Sequence, residues 1–370
     1  MPDPATSPAP APSPSSAAPG HSPAVPGRAP SAAPLEPYGR PLNVCILGDE
    51  AAYRRLLPDN PGLTSENCVF LGRDATPAQV VSAMPQADVI LADVVAHVSA
   101  EMIEALPHLR LVNSEGVGFD RFDCAAAAAR GVFVCNNQGM NAGAVAEQTV
   151  LLMLGLLRSV TAGDASVRQG RQMDAKMDAM RRGITDLADC TVGLVGLGCI
   201  GQAVAERLRA FSTRMLYTGR ARKDAELEAR LGVTWAERDE LLAASDIVSL
   251  HCATNAQTAG MVDAAFLAQM RPGSYLVNTA RGELVDNEAL AAALESGRLT
   301  GAGLDTVAPE PVTSDNPLLH LSPEAASRVL FSPHVGGITT GSLRRGQLHM
   351  WDNVARVKRG ERPTCVVNGL

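Results

Sequence analysis

The sequence predicts an α/β chain with two doubly wound (Rossmann/flavodoxin-like) parallel-sheet domains and an active site in the cleft between them. Three observations carry that prediction. Two successive series of short, β-rich apolar runs alternate with helix-compatible stretches, the pattern of βα units around a parallel sheet. A long apolar stretch and then a polar one separate the two series. A glycine loop, Gly196-Leu197-Gly198-Cys199-Ile200-Gly201, stands between a predicted strand and a predicted helix at the head of the second series.

Taken in order, residues from Met1 to about Pro37 are almost all Pro, Ala and Ser. They lack the apolar side chains that offset ordering entropy, so 1–40 is expected to be a disordered tail. It has neither the basic start nor the apolar core of a secretory signal. The first series reads as strands at Val44–Gly48, Val69–Leu71, Val89–Leu91, Leu109–Val112 and Gly131–Cys135. Helical stretches fall between them at Pro77–Met84, Ser99–Leu106 and Phe122–Ala129. A long apolar helix is expected over Ala144–Ser159, followed by a polar, Met- and Arg-rich segment from Ala162 to Gly183. The second series reads as strands at Thr191–Gly196, Arg214–Thr218, Ile247–Cys252, Ser274–Thr279, Gly301–Asp305 and Val329–Ser332. Its helices are expected at Gln202–Ala210, Ala225–Leu231, Arg238–Ala243, Ala264–Met270 and Asn287–Glu295. The last thirty residues read as helix, then extended chain, too short for a domain and expected to pack back onto the first. The expected domains are therefore 41–141 plus 340–370, and 142–339.

Composition sets the class. At 370 residues, 46% hydrophobic and 19% charged, the chain has room for two cores and the balance of an ordinary soluble protein. A net charge of −7 with no basic cluster argues against a nucleic-acid-binding surface. The most apolar run, Val150 to Leu157, is too short to span a bilayer. The eight cysteines (Cys45, Cys68, Cys124, Cys135, Cys190, Cys199, Cys252 and Cys365) form no Cys-x-x-Cys pair or Cys/His cluster. They read as reduced, mostly buried thiols of a cytoplasmic protein with no metal site.

The glycine loop predicts a dinucleotide site. Gly196 makes the tight turn, Gly198 lets backbone N–H groups reach a pyrophosphate, and Gly201 lets the helix pack against the strand. The helix N-terminus then faces the anion. A carboxylate ending the next strand would accept hydrogen bonds from an NAD ribose, but Tyr217-Thr218-Gly219-Arg220 ends without one, and Arg222 and Lys223 follow. A cationic corner pairs with a 2′-phosphate, so NADP is the expected cofactor, with NAD possible.

Arg281, Glu310 and His334 supply the chemistry. Each follows a predicted strand near its carboxyl end, where open α/β sheets bind ligands. Arg281 offers a planar, permanently charged fork for a substrate carboxylate. An isolated arginine after a strand is more often a surface residue, and a lone histidine more often a packing or capping residue. His334 is followed by Val335-Gly336-Gly337, which lets backbone approach a ligand, and reads as the acid/base.

These motifs resemble, from about Leu42 to the end, the D-isomer-specific 2-hydroxyacid dehydrogenase family, and in character its glyoxylate/hydroxypyruvate reductases. The match rests on Glu115-Gly116-Val117-Gly118-Phe119-Asp120, the glycine loop, Asn278-Thr279-Ala280-Arg281-Gly282, and Asp305 through Pro311 with Ser332 through Gly337. The resemblance implies hydride transfer between NAD(P)H and a small 2-keto acid, giving the D-2-hydroxy acid. It makes Glu310 the carboxylate that orients His334 and favours its protonated form, and Asp305 a contact to the nicotinamide carboxamide. It places Gly116, Val117 and Gly118 on the substrate carboxylate. It places Gly196, Gly198, Cys199, Ile200, Gly201, Gly219, Arg220, Cys252, Ala253, Thr279, Ala280, Gly336 and Gly337 on the cofactor. His97 is a further candidate for the pocket wall. The chain departs from the family at Ala253, where Pro is usual, and at Asn136-Asn137-Gln138-Gly139, where Asn-Thr-Pro-Gly is usual. Resemblance also implies a homodimer through the second domain, and no membrane or nucleic-acid partner is expected. Formate or phosphite oxidation is disfavoured because Glu310 is present. A long phosphoglycerate dehydrogenase is expected to carry a further C-terminal domain. The alternative reading is a dinucleotide-sensing corepressor of the same fold, which would turn over no keto acid.

Overall fold

The structure, a computed structural model, describes residues 36–370. The expected tail at 1–40 thus falls almost wholly outside the described residues. The first sheet contains β1 (Asn43–Leu47), β2 (Asn67–Leu71), β3 (Val89–Ala92), β4 (Leu111–Ser114) and β5 (Phe133–Cys135). Its order is β2-β1-β3-β4-β5 and every pair is parallel. Its connections are α1 (Glu50–Leu56), α2 (Gly62–Ser65), α3 (Pro77–Ala83), α4 (Ala100–Glu104) and α5 (Cys124–Ala129). Side-chain caps start four of these helices: Asp49, Thr76 in a capping box with Gln79, Ser99 and Asp123.

Three helices lead to the second sheet: α6 (Ala142–Leu157), α7 (Val160–Arg168) and α8 (Gln172–Arg182). Then follow β6 (Thr191–Val195), α9 (Cys199–Ala210), β7 (Arg214–Thr218), α10 (Ala225–Leu231), β8 (Val233–Trp235), α11 (Arg238–Ala244) and β9 (Ile247–Leu250). The series ends with α12 (Ala264–Gln269), β10 (Ser274–Asn278), α13 (Asn287–Glu295), β11 (Leu299–Leu304), α14 (Pro323–Ala326), β12 (Val329–Phe331) and α15 (Thr340–Lys358). The order β12-β11-β10-β9-β6-β7-β8 is doubly wound, with its switch point between β6 and β9. Ligands of such sheets bind outside the carboxyl ends at that point, where Val195 O accepts from His251 N (2.8 Å).

Burial on both faces of each sheet gives four apolar clusters. α15 returns to the first sheet: Met350, Trp351, Val354 and Val357 pack with Val44, Leu111 and Phe133. Val366 then makes an antiparallel bridge to Cys135. These contacts support the division into 41–141 with 340–370, and 142–339, which we propose as the domains. No single helix among the described residues is long and apolar enough to cross a membrane.

The structure adds elements that periodicity did not predict. β8 is three residues long and pairs only with β7, too short for a pattern. The polar segment after α6 is helical as α7 and α8, neither of which has a buried residue. Without a covered face these helices leave no clean apolar stripe to read. Of the cysteines, all free, only Cys45, Cys135 and Cys190 are buried, and Cys199 is exposed. The expectation of mostly buried thiols is corrected there: Cys199 opens α9, where a ligand rather than a core would cover it.

Candidate active site

The glycine loop behaves as its spacing demands. Gly196 has φ +104°, and a side chain there would meet His251 O at 2.8 Å. A Cβ on Gly201 would lie 2.3 Å from Gly196 O, so only glycine lets α9 seat this close to the turn. At Gly198 a Cβ would meet nothing within 4 Å, leaving open space before the helix start. Gly198 supplies no side-chain cap, so the first N–H groups of α9, from Cys199 and Ile200, face that space. A pyrophosphate fits such a cradle. His251 behind it is desolvated and pushed down to about 3, hence neutral, with Nε2 2.9 Å from Ser249 Oγ. Cys252 and Ala253 continue from β9 beside it, Cys252 partly buried and Ala253 exposed.

At the corner after β7, Gly219 and Arg220 are exposed and no hydrogen bond engages the Arg220 side chain among the described residues. The expected cationic cluster is smaller than its sequence suggests. Arg222 is spent on Glu228 (2.9 and 2.8 Å), which also accepts from Tyr217 Oη (2.7 Å). These donors, Arg222 first, hold the Glu228 carboxyl down at about 2.

Arg281, Asp305 and His334 follow the adjacent strands β10, β11 and β12. Asn278, fully buried, shapes the first turn: its Oδ1 accepts from Ala280 N (3.0 Å) and its Nδ2 donates to Arg281 O (2.8 Å). The Arg281 guanidinium has one protein contact among the described residues, Nη1 to Ala280 O (2.8 Å), and no carboxylate partner. A Cβ on Gly282 would sit 2.3 Å from Ala308 N, so this turn lies directly against the chain leading to Glu310.

His334 has φ +54°, a left-handed conformation that turns its ring out of the strand line. Its Nδ1 lies 2.7 and 2.8 Å from the two oxygens of Glu310. Nδ1–H therefore donates to the carboxylate, and Nε2 is the nitrogen left to exchange a proton. His334 N donates to Asp305 O (2.8 Å), which ties the loop to the end of β11.

Asp305, the Gly336–Gly337 pair and Thr279, all expected at the cofactor, have protein partners. The Asp305 carboxylate is buried and already accepts from Ser332 Oγ, Val335 N (3.1 Å) and Gly336 N (2.9 Å). Its visible work is to organise the His334 loop. A Cβ on Gly336 would meet Asp305 Oδ2 and one on Gly337 would meet Asn141 Nδ2, both at 2.8 Å, so these glycines admit protein neighbours. Thr279 and Ala280 are buried. Thr149 donates to Val145 O (2.8 Å), so Thr279 is the donor in its 2.8 Å contact with Thr149. The Thr279 hydroxyl thus ties β10 to α6.

The loop at Gly116, Val117 and Gly118 follows β4. All four carbonyls from Glu115 to Gly118 are engaged: by Asn137 Nδ2 (2.7 Å), Asn137 N (2.7 Å), Asn136 Nδ2 (2.8 Å) and Ser114 Oγ (2.6 Å). The N–H groups of Val117 and Gly118 have no protein acceptor among the described residues. Such a nest suits a carboxylate. Glu115, desolvated and beside Asp93, is pushed up to about 7. Sequence reasoning missed Asn136 and Asn137 as holders of this loop. Asn136 matches the usual family segment, and the only signal at Asn137 was its departure from the usual Thr. His97 is exposed on the loop after β3, and no contact brings it to Arg281 or His334.

A sequence model described as D-isomer specific 2-hydroxyacid dehydrogenase, NAD binding domain, matches residues 150–336. The chain is 37% identical over 294 residues to the D-3-phosphoglycerate dehydrogenase of Mycobacterium tuberculosis, covering 78% of this chain and 53% of that one. It thus spans about half the length of the first such curated relatives. It is 35% identical over 289 residues to a glyoxylate reductase of Korarchaeum cryptofilum, covering 78% and 85% of the two chains. The holo D-mandelate dehydrogenase of Rhodotorula graminis superposes with a TM-score of 0.77 at 26% identity, over 89% of this chain and 98% of that one.

Proposed function

The chain belongs to the D-isomer-specific 2-hydroxyacid dehydrogenase family, and from that premise we propose that it reduces a small 2-keto acid of the glyoxylate or hydroxypyruvate type with NADPH. The observation that carries the reading is the His334–Glu310 pair, 2.7 Å apart, on the strand ends beside an Arg281 with no acidic partner. The reaction joins a keto acid, a hydride and a proton to give the D-2-hydroxy acid and the oxidised dinucleotide. A bound nicotinamide supplies the hydride. Arg281 and the 116–118 nest hold the carboxylate, and Arg281 polarises the carbonyl oxygen. His334 delivers the proton to that oxygen from Nε2, and Glu310 balances the charge on the ring. Cleft closure would exclude water.

The exposed Arg220 supports NADPH preference, and no carboxylate ends β7, where one would repel a 2′-phosphate. Exposed Val167, Met173 and Met180 on α7 and α8 support a homodimer, and a monomer mass by light scattering would overturn it. The identity to D-3-phosphoglycerate dehydrogenases motivates a second substrate, 3-phosphohydroxypyruvate. The deciding experiment is NADPH oxidation, followed by absorbance, with glyoxylate, hydroxypyruvate, 3-phosphohydroxypyruvate, pyruvate and phenylpyruvate. Turnover of glyoxylate or hydroxypyruvate is expected. No turnover with any keto acid would favour a dinucleotide-binding protein.

A further inference from the structure

We infer that Asn137 is a positioning residue for the substrate carboxylate, acting through the 115–118 loop, with His349 holding its amide in the working orientation. The inference rests on the reading that this loop binds the carboxylate. In a trans peptide the C=O and N–H point opposite ways, so fixing a carbonyl aims the N–H of the next residue. Asn137 Nδ2 fixes Glu115 O (2.7 Å) and thereby aims Gly116 N–H at Ser114 Oγ (3.3 Å), closing the turn that presents the next two N–H groups. Its own N–H fixes Gly116 O (2.7 Å) and aims Val117 N–H. Asn136 Nδ2 does the same for Val117 O (2.8 Å) and Gly118 N–H.

The Asn137 amide has two orientations: Glu115 O, which only accepts, selects the one with Nδ2 toward it, and His349 Nδ1–H braces that orientation. His349 Nδ1 is 2.8 Å from Asn137 Oδ1, and Nε2 is 2.9 Å from Thr364 Oγ1. A carbonyl oxygen only accepts, so Nδ1 carries the proton, and Thr364 Oγ1 stands between Nε2 and Asn353 Oδ1 (3.1 Å), two acceptors for its one proton. A flipped amide would set NH₂ against Nδ1–H and oxygen against Glu115 O, losing both bonds. Asn353 anchors the far end through Thr364 N (2.8 Å) and through Asn113 Oδ1 (2.8 Å) at β4. Asn137 is 2% exposed, so the loop has no water to take its place. A Cβ on Gly346 would lie 2.7 Å from Asn137 Nδ2, which is why α15 can carry both Gly346 and His349 against this amide.

A misaimed nest weakens ground state and transition state alike, which raises KM and spares kcat. Asn137→Ala is expected to raise the keto-acid KM about tenfold with kcat within about threefold. The inhibition constant of oxamate, an unreactive carboxylate mimic, should rise by the same factor, and the NADPH KM should hold. Asn137→Asp keeps the shape and the acceptor for His349 but loses the donor, so it should match the alanine variant. Amide hydrogen exchange at 115–118 should quicken in both. Unchanged keto-acid KM and oxamate binding in both variants overturns the inference. So does a loss of kcat and NADPH binding as large as the KM effect, which marks a merely structural role. If the wild type reduces no keto acid, the proposed function fails by itself, and oxamate binding with loop exchange still decides the role of Asn137.

Discussion

Two glycine-bearing loops stand at the carboxyl ends of the two sheets, both presenting backbone N–H groups without a protein acceptor among the described residues, yet they are held by opposite means. The loop at 196–201 holds itself: Gly201 seats on Gly196 O, and the N–H groups come from the start of a twelve-residue helix. The loop at 115–118 is held from outside, by Asn136, Asn137, Ser114 and, behind them, His349. A self-held loop must write its geometry into local spacing. An externally held one writes it into amides far along the chain, where spacing says nothing.

The largest expected effect separates both loops from the chemistry. His334→Ala should lower kcat by about a thousandfold while keto acid and NADPH still bind, the scale of a lost general acid. Loss of NADPH affinity in that variant would mean that His334 supports the cofactor site instead. Next, Gly201→Ala drives a Cβ to 2.3 Å from a backbone oxygen and should weaken NADPH binding about a hundredfold with a lower melting temperature. Gly198→Ala meets nothing within 4 Å, so it should melt like wild type yet bind NADPH poorly. Equal melting and binding for the two variants would erase the distinction between packing and ligand glycines.

The loops should also differ in their response to pH. His251 behind the second loop is held at about 3 and stays neutral through ordinary pH. Glu115 on the first is raised from 4.5 to about 7 by desolvation and by Asp93. The native state therefore keeps a proton that the unfolded chain releases, and stability falls as pH rises between those values. Above pH 7 the penalty is constant. Glu115→Gln should thus stabilise the protein at pH 8 by about 1–2 kcal/mol, since partial exposure screens the shift, and leave it unchanged at pH 4. A stabilisation equal at both pH values would show packing, not charge. The smallest effect belongs to the cofactor corner. Arg220→Ala should lower the preference for NADPH over NADH about fivefold, a surface charge–phosphate contact. An unchanged ratio would remove Arg220 from the specificity argument.

Much of this was legible in the sequence. All strands but β8 were readable because buried parallel strands form continuous apolar runs, and β7, α10 and α13 begin and end where their patterns do. Arg281, Glu310 and His334 were readable because each lies just past such a run. Glu310, which resemblance paired with His334, lies 2.7 Å from its Nδ1. What stayed hidden depends on distant partners. The Thr279 hydroxyl is claimed by Thr149, and Arg222 by a glutamate whose burial follows from the turn of α10. Nothing near Asn137 in the chain points to His349. The exposed faces of α7 and α8 were obscure for a different reason, because nothing within this chain buries them.

The helix α15 starts six residues after His334 along one continuous backbone, and its Ser342 Oγ donates to Gly337 O of the His334 loop (2.6 Å). A turn later the same helix holds the carboxylate loop through Gly346 and His349. It is therefore a gauge rod between the proton donor and the carboxylate anchor, two points that belong to different sheets. At about 1.5 Å and 100° per residue, inserting a single alanine between Ser342 and Gly346 would shift and rotate one end of the gauge against the other. The spacing between the two loops is thus braced by one helix that contacts both and supplies no group to either His334 or the N–H groups of Val117 and Gly118.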